Sequence, residues 1–505
     1  MVKGLIHLAK DLRKRSKEDT LPLIPSPQGR GTNNGRYSLR RLGSNYLNNI
    51  RKKRSKSEGD YKMKKQNVFF SVVFLVFILF ILINERSASA DVITLSEGLK
   101  LATDNSRLVK ISQTEELMSG DDSMIAMAKM LPNINASMSK TSLKYQPTAV
   151  MTTDLGTLKV AVSERDFYTY SLSVQQTLFD FWGNYSKYKA SKILIDAKKL
   201  DTRRIKNLVA IDFVLIYLDL LESEKMLLVA EKEVERLESH LNKAKIMHEE
   251  GVITKDDLLQ AEVKISDGRQ RLLTARNIRA LNASRLNNSL LRPLRSEVQT
   301  VDIDGLSSET SGLDIEKAWE IAEKERAEVL IVDETLKSLN LEKKAKVSEF
   351  FPKFFLRGGY DYTENRFQLY EENWSIMFGI NINLFNGGST RAEVSKIKHQ
   401  SEKLIEQRNK LVDDVKLEVE KYILNSQSAA ERLKVTSGAI NQAEESLRIN
   451  RLRYEEGVGI ATDVMDAVTL LTVAESNYYR SLYDLRKAEA AVLYSIGKEI
   501  SEVYK

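Results

Sequence analysis

Glu249-Glu250-Gly251-Val252 recurs as Glu455-Glu456-Gly457-Val458, 206 positions later. At the same offset Asp257 matches Asp463, Ala261 matches Ala467, and Leu178-Phe179 matches Leu384-Phe385, with no gap. Upstream, Leu131-Pro132 and Phe351-Pro352 lie 220 apart, so the copies differ by 14 residues between the proline and the Leu-Phe pair. The chain is two copies of one unit, and a repeat of this size governs every other reading.

Each Glu-Glu-Gly-Val stretch sits between two helical runs. The first run of each pair covers 182–250 or 388–456, and a helix returns over about 256–291 and 462–497. The 66 residues from 391 to 456 would extend about 100 Å as a helix. Thr254 and Asp257 have the spacing of a capping box. Leu258, Ala261, Ile265 and Leu272 form one seam. Val464, Ala467, Leu471, Ala474, Tyr478 and Leu485 form its counterpart. Helices this long with small residues in the seam predict coiled-coil packing. The mature chain opens with a further helix over 94–130, capped by Thr94 or Ser96 and ended by Pro132.

Between the helices the period changes to two. Ile134, Ala136 and Met138 alternate with Asn133, Asn135, Ser137 and Ser139. After a polar stretch, Tyr168, Tyr170, Leu172 and Val174 alternate with Thr169, Ser171, Ser173 and Gln175. In the second copy Phe354, Leu356, Gly358, Tyr360 and Tyr362 make one row, and Trp374, Ile376, Phe378, Ile380, Ile382 and Leu384 another. These are strands with one apolar and one polar face. A soluble sheet over a core would read this way. So would a membrane barrel with lipid outside and water inside. Each copy supplies two strands and the chain four, too few to close a barrel. An open edge is not tolerated in lipid, so in a membrane several chains would have to share one barrel.

The 505-residue chain carries a net charge of +7. Residues 1–90 hold 19 Lys/Arg against 6 Asp/Glu, and the remainder holds 58 against 64. The basic character therefore belongs to the leader, and the body shows no reason to bind nucleic acid. Within that leader Lys64-Lys65, the apolar run 68–83 and Ala88-Ser89-Ala90 read as a secretory signal peptide over 63–90, cleaved after Ala90. An uncleaved anchor is the other reading, though the run is short for a span. Residues 1–62 form a basic extension without apolar periodicity, either upstream sequence before a true start at Met63 or a disordered cytoplasmic arm. Cysteine is absent, and prolines number 7. No disulfide or thiolate chemistry is possible. His7 lies in the leader, while His240, His248 and His399 stand on helices without ligand spacing. No cofactor loop or catalytic motif is present, and no enzyme, metal site or cofactor is expected.

In order, spacing and duplication these residues resemble the TolC family of outer-membrane efflux proteins. The carriers are Leu131-Pro132 and Phe351-Pro352 opening the strands, Leu178-Phe179 and Leu384-Phe385-Asn386-Gly387-Gly388 closing them, and Arg453-Tyr454-Glu455-Glu456-Gly457-Val458 with Asp463-Val464-Met465-Asp466-Ala467. The resemblance spans 91 to about 497. It implies a mainly α chain with a transmembrane β part. A homotrimer would form a 12-stranded barrel in the outer membrane, continued by a coiled-coil barrel of helices through the periplasm. The repeats would cover 91–298, with a β-hairpin over 132–180, and 314–505, with one over 352–386. It further implies a passive exit duct for efflux or type I secretion, recruited by a periplasmic adaptor and an inner-membrane pump or ABC exporter.

The same resemblance places the turns at Gly251 and Gly457 at the periplasmic tips, where the duct narrows. It makes Asp463 and Asp466 the pore constriction, six carboxylates in a trimer. Asp463 alone would also suit the first turn of a helix. It makes Tyr454 and Asp257 the gate tether, so that Tyr454→Phe should raise resting conductance. Gly459 stands where the family pattern can carry an Arg, which removes one salt bridge from the closing device. The rival architecture is a structural or sensory coiled-coil protein anchored at the inner membrane by 68–83.

Overall fold

The computed structural model describes residues 91–303 and 313–504, all within one unit of the chain. The signal peptide, its cleavage site at Ala90 and the extension 1–62 lie outside the described residues. In chain order the elements are β1 (Asp91–Ile93), α1 (Leu95–Asn105), α2 (Arg107–Ala128), β2 (Asn133–Ser142), β3 (Thr148–Thr153), β4 (Gly156–Ala161) and β5 (Asp166–Phe179). Then follow α3 (Gly183–Glu249), α4 (Lys255–Ser289), β6 (Val298–Thr300), α5 (Ile315–Glu325), α6 (Ala327–Val347) and β7 (Lys353–Thr363). The chain ends with β8 (Glu372–Asn381), α7 (Ser389–Glu455), α8 (Ala461–Ser495) and α9 (Ile500–Val503).

The repeat is exact in the four long helices. α3 and α7 have 67 residues each, α4 and α8 have 35 each. Sixty-seven residues reach about 100 Å. The expected helix over 94–130 is two helices, broken at Ser106, where φ −49° and ψ 130° leave the helical region. Thr94 caps the first of them by accepting from the Glu97 N–H.

Four strands form one antiparallel sheet in the order β2-β5-β7-β8. The register puts Ile134 opposite Val174, Val174 opposite Gly358, and Gly358 opposite Ile376. Ile134, Ala136, Met138, Leu172, Val174, Leu356, Trp374, Ile376 and Phe378 therefore share one face. The other face carries Asn133, Asn135, Ser137, Ser171, Ser173 and Gln175. β2 and β8 have no strand on their outer sides among the described residues. The apolar face is bare: Trp374 and Ile376 are each 71% exposed.

The polar stretch between β2 and β5 holds a further hairpin, β3-β4, which the sequence reading missed. Its alternation is blurred because Val150 lies opposite Lys159 and Thr152 opposite Thr157. The base is fastened to the second repeat. Asn365, buried, accepts from the Glu164 N–H at 3.1 Å and donates to Ser163 Oγ at 2.7 Å.

Strand hands over to helix differently in the two copies. Gly387 and Gly388 take φ +68° and +84°, and the equivalent Phe181 and Trp182 take φ +51° and +62°. Non-glycine residues there carry about 1–2 kcal/mol of strain each. Aromatic packing offsets it: Phe181 stacks on Phe351 at 4.8 Å, and Trp182 sits edge-on to Phe179 at 5.2 Å.

Three apolar clusters hold the helices. One surrounds Phe213 and Tyr217 of α3, where β1 runs parallel to β6. The Tyr217 hydroxyl, fully buried, lies 3.0 Å from the Ile93 carbonyl and accepts from the Val301 N–H at 3.0 Å, fixing both segments to α3. A second joins α5, α7 and α8 through Ala322, Val419 and Val492. The third fills the hairpin ends and contains Ala261, Ile265, Ala443, Val464, Ala467, Leu471 and Ala474. Ala261, Ala467 and Ala474 are the small residues read from the seams, with Leu258 partly buried beside them. No helix among the described residues is long and apolar enough to cross a membrane, which says nothing of a β-barrel.

Candidate channel gate

The site is built on two glycine turns of one geometry. At the first, Val252 N–H donates to Met247 O at 2.8 Å and Gly251 N–H to His248 O at 3.0 Å. At the second, Val458 N–H donates to Arg453 O at 2.9 Å and Gly457 N–H to Tyr454 O at 3.1 Å. This paired pattern is the Schellman motif, which needs a left-handed residue just past the helix. Gly251 and Gly457 supply it at φ +76° and +74°. The following helix starts at once. Thr254 and Asp257 form the expected capping box, with Asp257 Oδ2 accepting from Thr254 N–H at 3.0 Å and Thr254 Oγ1 accepting from Asp257 N–H at 3.2 Å.

Asp463 lies in the first turn of α8 and Asp466 one turn on. Between them Val464 and Met465 turn into the core, 1% and 2% exposed. Asp466 is exposed and Asp463 half-buried. Neither carboxylate pairs with a cation among the described residues.

Tyr454 does not behave as a tether within the chain. Its ring is 3% exposed, and its hydroxyl is buried without a hydrogen-bond partner. Asp257 is near enough for its charge to add to burial in holding the phenol above its ordinary value. Its Oδ2, however, is committed to the backbone and hydroxyl of Thr254. The structure brings Tyr454 and Asp257 near each other without a bond between them. Gly459 has a local reason of its own. Its N–H donates to Arg453 O at 2.8 Å, and a Cβ there would press on Tyr454 N and Arg453 C at 3.0 and 3.1 Å.

The sequence reading missed His240. It stands on α3, 7% exposed, with its ring centroid 5.1 Å from that of Tyr454 and Nε2 without a partner. Burial first, then the charge of Arg451, pushes it down to about 4. The signal was present: Leu237, His240, Ala244 and Met247 are spaced three, four and three, one buried stripe of a helix. His248 instead packs into the first turn, its Nδ1 3.3 Å from Ile253 O, and His399 is exposed beside Glu402.

Residues 334–498 match a family model described as Outer membrane efflux protein. A relative in Pseudomonas aeruginosa, the alkaline protease secretion protein AprF, is 23% identical over 426 residues, 80% of this chain and 84% of the relative. Among solved structures, the outer-membrane channel OprN superposes with a TM-score of 0.69 at 15% identity, covering 81% of this chain and 90% of that one. The Campylobacter jejuni CmeC outer membrane channel does so with a TM-score of 0.68 at 14% identity, covering 80% and 85%.

Proposed function

We infer, from a chain that belongs to the TolC-like outer membrane efflux proteins, that its polypeptide is one part of an exit duct of the outer membrane reaching into the periplasm. The carrying observation is the sheet. Its apolar face is exposed from Ile134 across to Phe378, and its edges at β2 and β8 are open. In water such a face would aggregate. In lipid the face is satisfied but the edges are not, since no water reaches their N–H and C=O groups. Three chains pooling four strands each remove every edge and give a barrel of ordinary size. The polar row of Asn, Ser and Gln residues then lines the lumen. The long helices continue the tube, with the Gly251 and Gly457 tips at its inner end.

In this reading Asp463 and Asp466 of three copies ring the narrow mouth, and such a ring favours cations. Gly251 and Gly457 shape the tips, and the buried ring of Tyr454, beside Asp257 but not bonded to it, packs the second hairpin against the first. The repeats divide at 91–298 and 314–505. A periplasmic adaptor and an inner-membrane pump or ABC exporter recruit the duct, and the cargo is theirs to choose. AprF, whose name assigns it to protease secretion, makes type I secretion one such setting. An inner-membrane coiled-coil protein has no use for a sheet with an apolar outer face, and that alternative is set aside.

The test is fractionation followed by conductance. The processed chain should sediment with the outer membrane, run as a heat-modifiable trimer, and give single channels in planar bilayers. A water-soluble, folded monomer obtained without detergent would overturn the reading.

A further inference from the structure

His240 and Tyr454 meet where the two helical hairpins meet. His240 belongs to α3 in the first repeat, and Tyr454 to the last turn of α7 in the second. Their rings pack at 5.1 Å and 52°. Each keeps one polar atom, His240 Nε2 and Tyr454 Oη, buried and unpartnered. A buried polar atom left unpaired costs about 1–3 kcal/mol, so the packed arrangement holds two such costs at one contact. Ala443, Leu447, Met465 and Ile265 close the same cluster and keep water out. Four helices surround the pair, and their charges are few. α7 presents Arg451 to the imidazole. α4 presents Asp257 to the phenol. One turn back along α3, Arg236 is engaged with Glu475 of α8 through bonds of 2.9 Å. No carboxylate is paired with His240 among the described residues, so a proton arriving there gains a charge with no acceptor.

We propose that His240 is a further gate residue, a proton-operated release that keeps the tips of the two hairpins together while neutral and drives them apart once charged and hydrated. This rests on the reading of the chain as a duct with its gate at these tips. The buried imidazole titrates at about 4 against an ordinary 6.5, burial being the larger cause and Arg451 the smaller. A depressed value in the packed state fixes the sign. The closed arrangement has its full advantage above pH 6.5 and loses it as pH falls from 6.5 towards 4. For one such group, going from pH 7.5 to pH 5.0 raises the equilibrium for release by about 30-fold.

The experiment compares open probability at pH 5.0 and pH 7.5 in planar bilayers, within each variant. Wild type should rise by up to about 30-fold per latch. His240→Phe, which keeps an aromatic ring but cannot take a proton, should give a ratio near one. His248→Gln, which removes the other imidazole of the hairpin tips, should keep the wild-type ratio. Arg451→Gln should move the acid midpoint towards neutrality. A wild-type ratio near one, or an unchanged ratio in His240→Phe, overturns the proposal. Amide hydrogen exchange of peptides covering 445–465 reads the same release without a current. Protection lost in acid in wild type and kept in His240→Phe supports the latch, and equal protection overturns it. Acid-sensitive protection in a protein that conducts at neither pH would keep the latch and overturn the duct.

Discussion

Arg236 on α3 and Glu475 on α8 face each other through two parallel N–H···O bonds of 2.9 Å, tying the first repeat to the second one helical turn from His240. The side chains are 18% and 8% exposed, so little water screens them. Removing one partner strands the other charge in the seam, at about 3 kcal/mol. Glu475→Ala should therefore lower the unfolding temperature of the detergent-purified protein. Arg236→Met with Glu475→Leu should recover most of the loss. A double variant no better than Glu475→Ala would mean that the charges do more than satisfy each other.

Tyr454→Phe has the opposite sign from the one the family resemblance implies. The phenol makes no hydrogen bond, and Asp257 is held by Thr254. Deleting a buried hydroxyl without a partner should stabilise the tip by about 1 kcal/mol. Resting conductance should stay level or fall, and a rise in bilayer recordings would restore the tether.

Asp463→Asn with Asp466→Asn should abolish block of the channel by multivalent cations applied from the tip side, since the neutral ring no longer concentrates them. Single-channel current in a titration with a trivalent cation decides this. Unchanged block would move the constriction elsewhere.

The two faces of the sheet should respond oppositely to charge. Ile376→Lys places an ammonium on the lipid side, at about 2–4 kcal/mol near the midplane. Ser173→Lys places the same group on the polar row. The first should deplete the trimer from the outer membrane, and the second should leave assembly intact while reducing cation passage. Equal assembly of the two would invert the assignment of faces.

The repeat made most of the helical architecture legible. An undecapeptide of alternating Phe, Leu and Tyr over β7 and the Glu-Glu-Gly-Val turns could be read directly, because period and turn chemistry are local. The break at Ser106 could not, since its neighbours keep helical spacing on both sides. The β3-β4 hairpin hid because Val150 sits in the polar row with Lys159 and Thr157, which breaks the alternation set by Ala149 and Met151. At the tip the capping box was legible residue by residue, whereas Asp463 and Asp466 were reached through the family resemblance. The unbonded state of Tyr454 was not, because it depends on how the two hairpins place its ring in the cluster they share, which spacing along the chain does not show. His240 was passed over as a histidine on a charged helix, although its phase with Leu237 and Met247 marks it as interior.

The matched lengths of α3 with α7 and of α4 with α8 bind the future of this sequence as well as its fold. A lineage that needed a longer tube could not lengthen one helix alone without throwing a tip out of level with its neighbours. Seven residues inserted into one arm add about 10 Å, and the other three arms would have to accept the same insertion at the same height. Growth of the duct is thus confined to coordinated steps, and the gap-free offset between the copies is what such a constraint leaves behind.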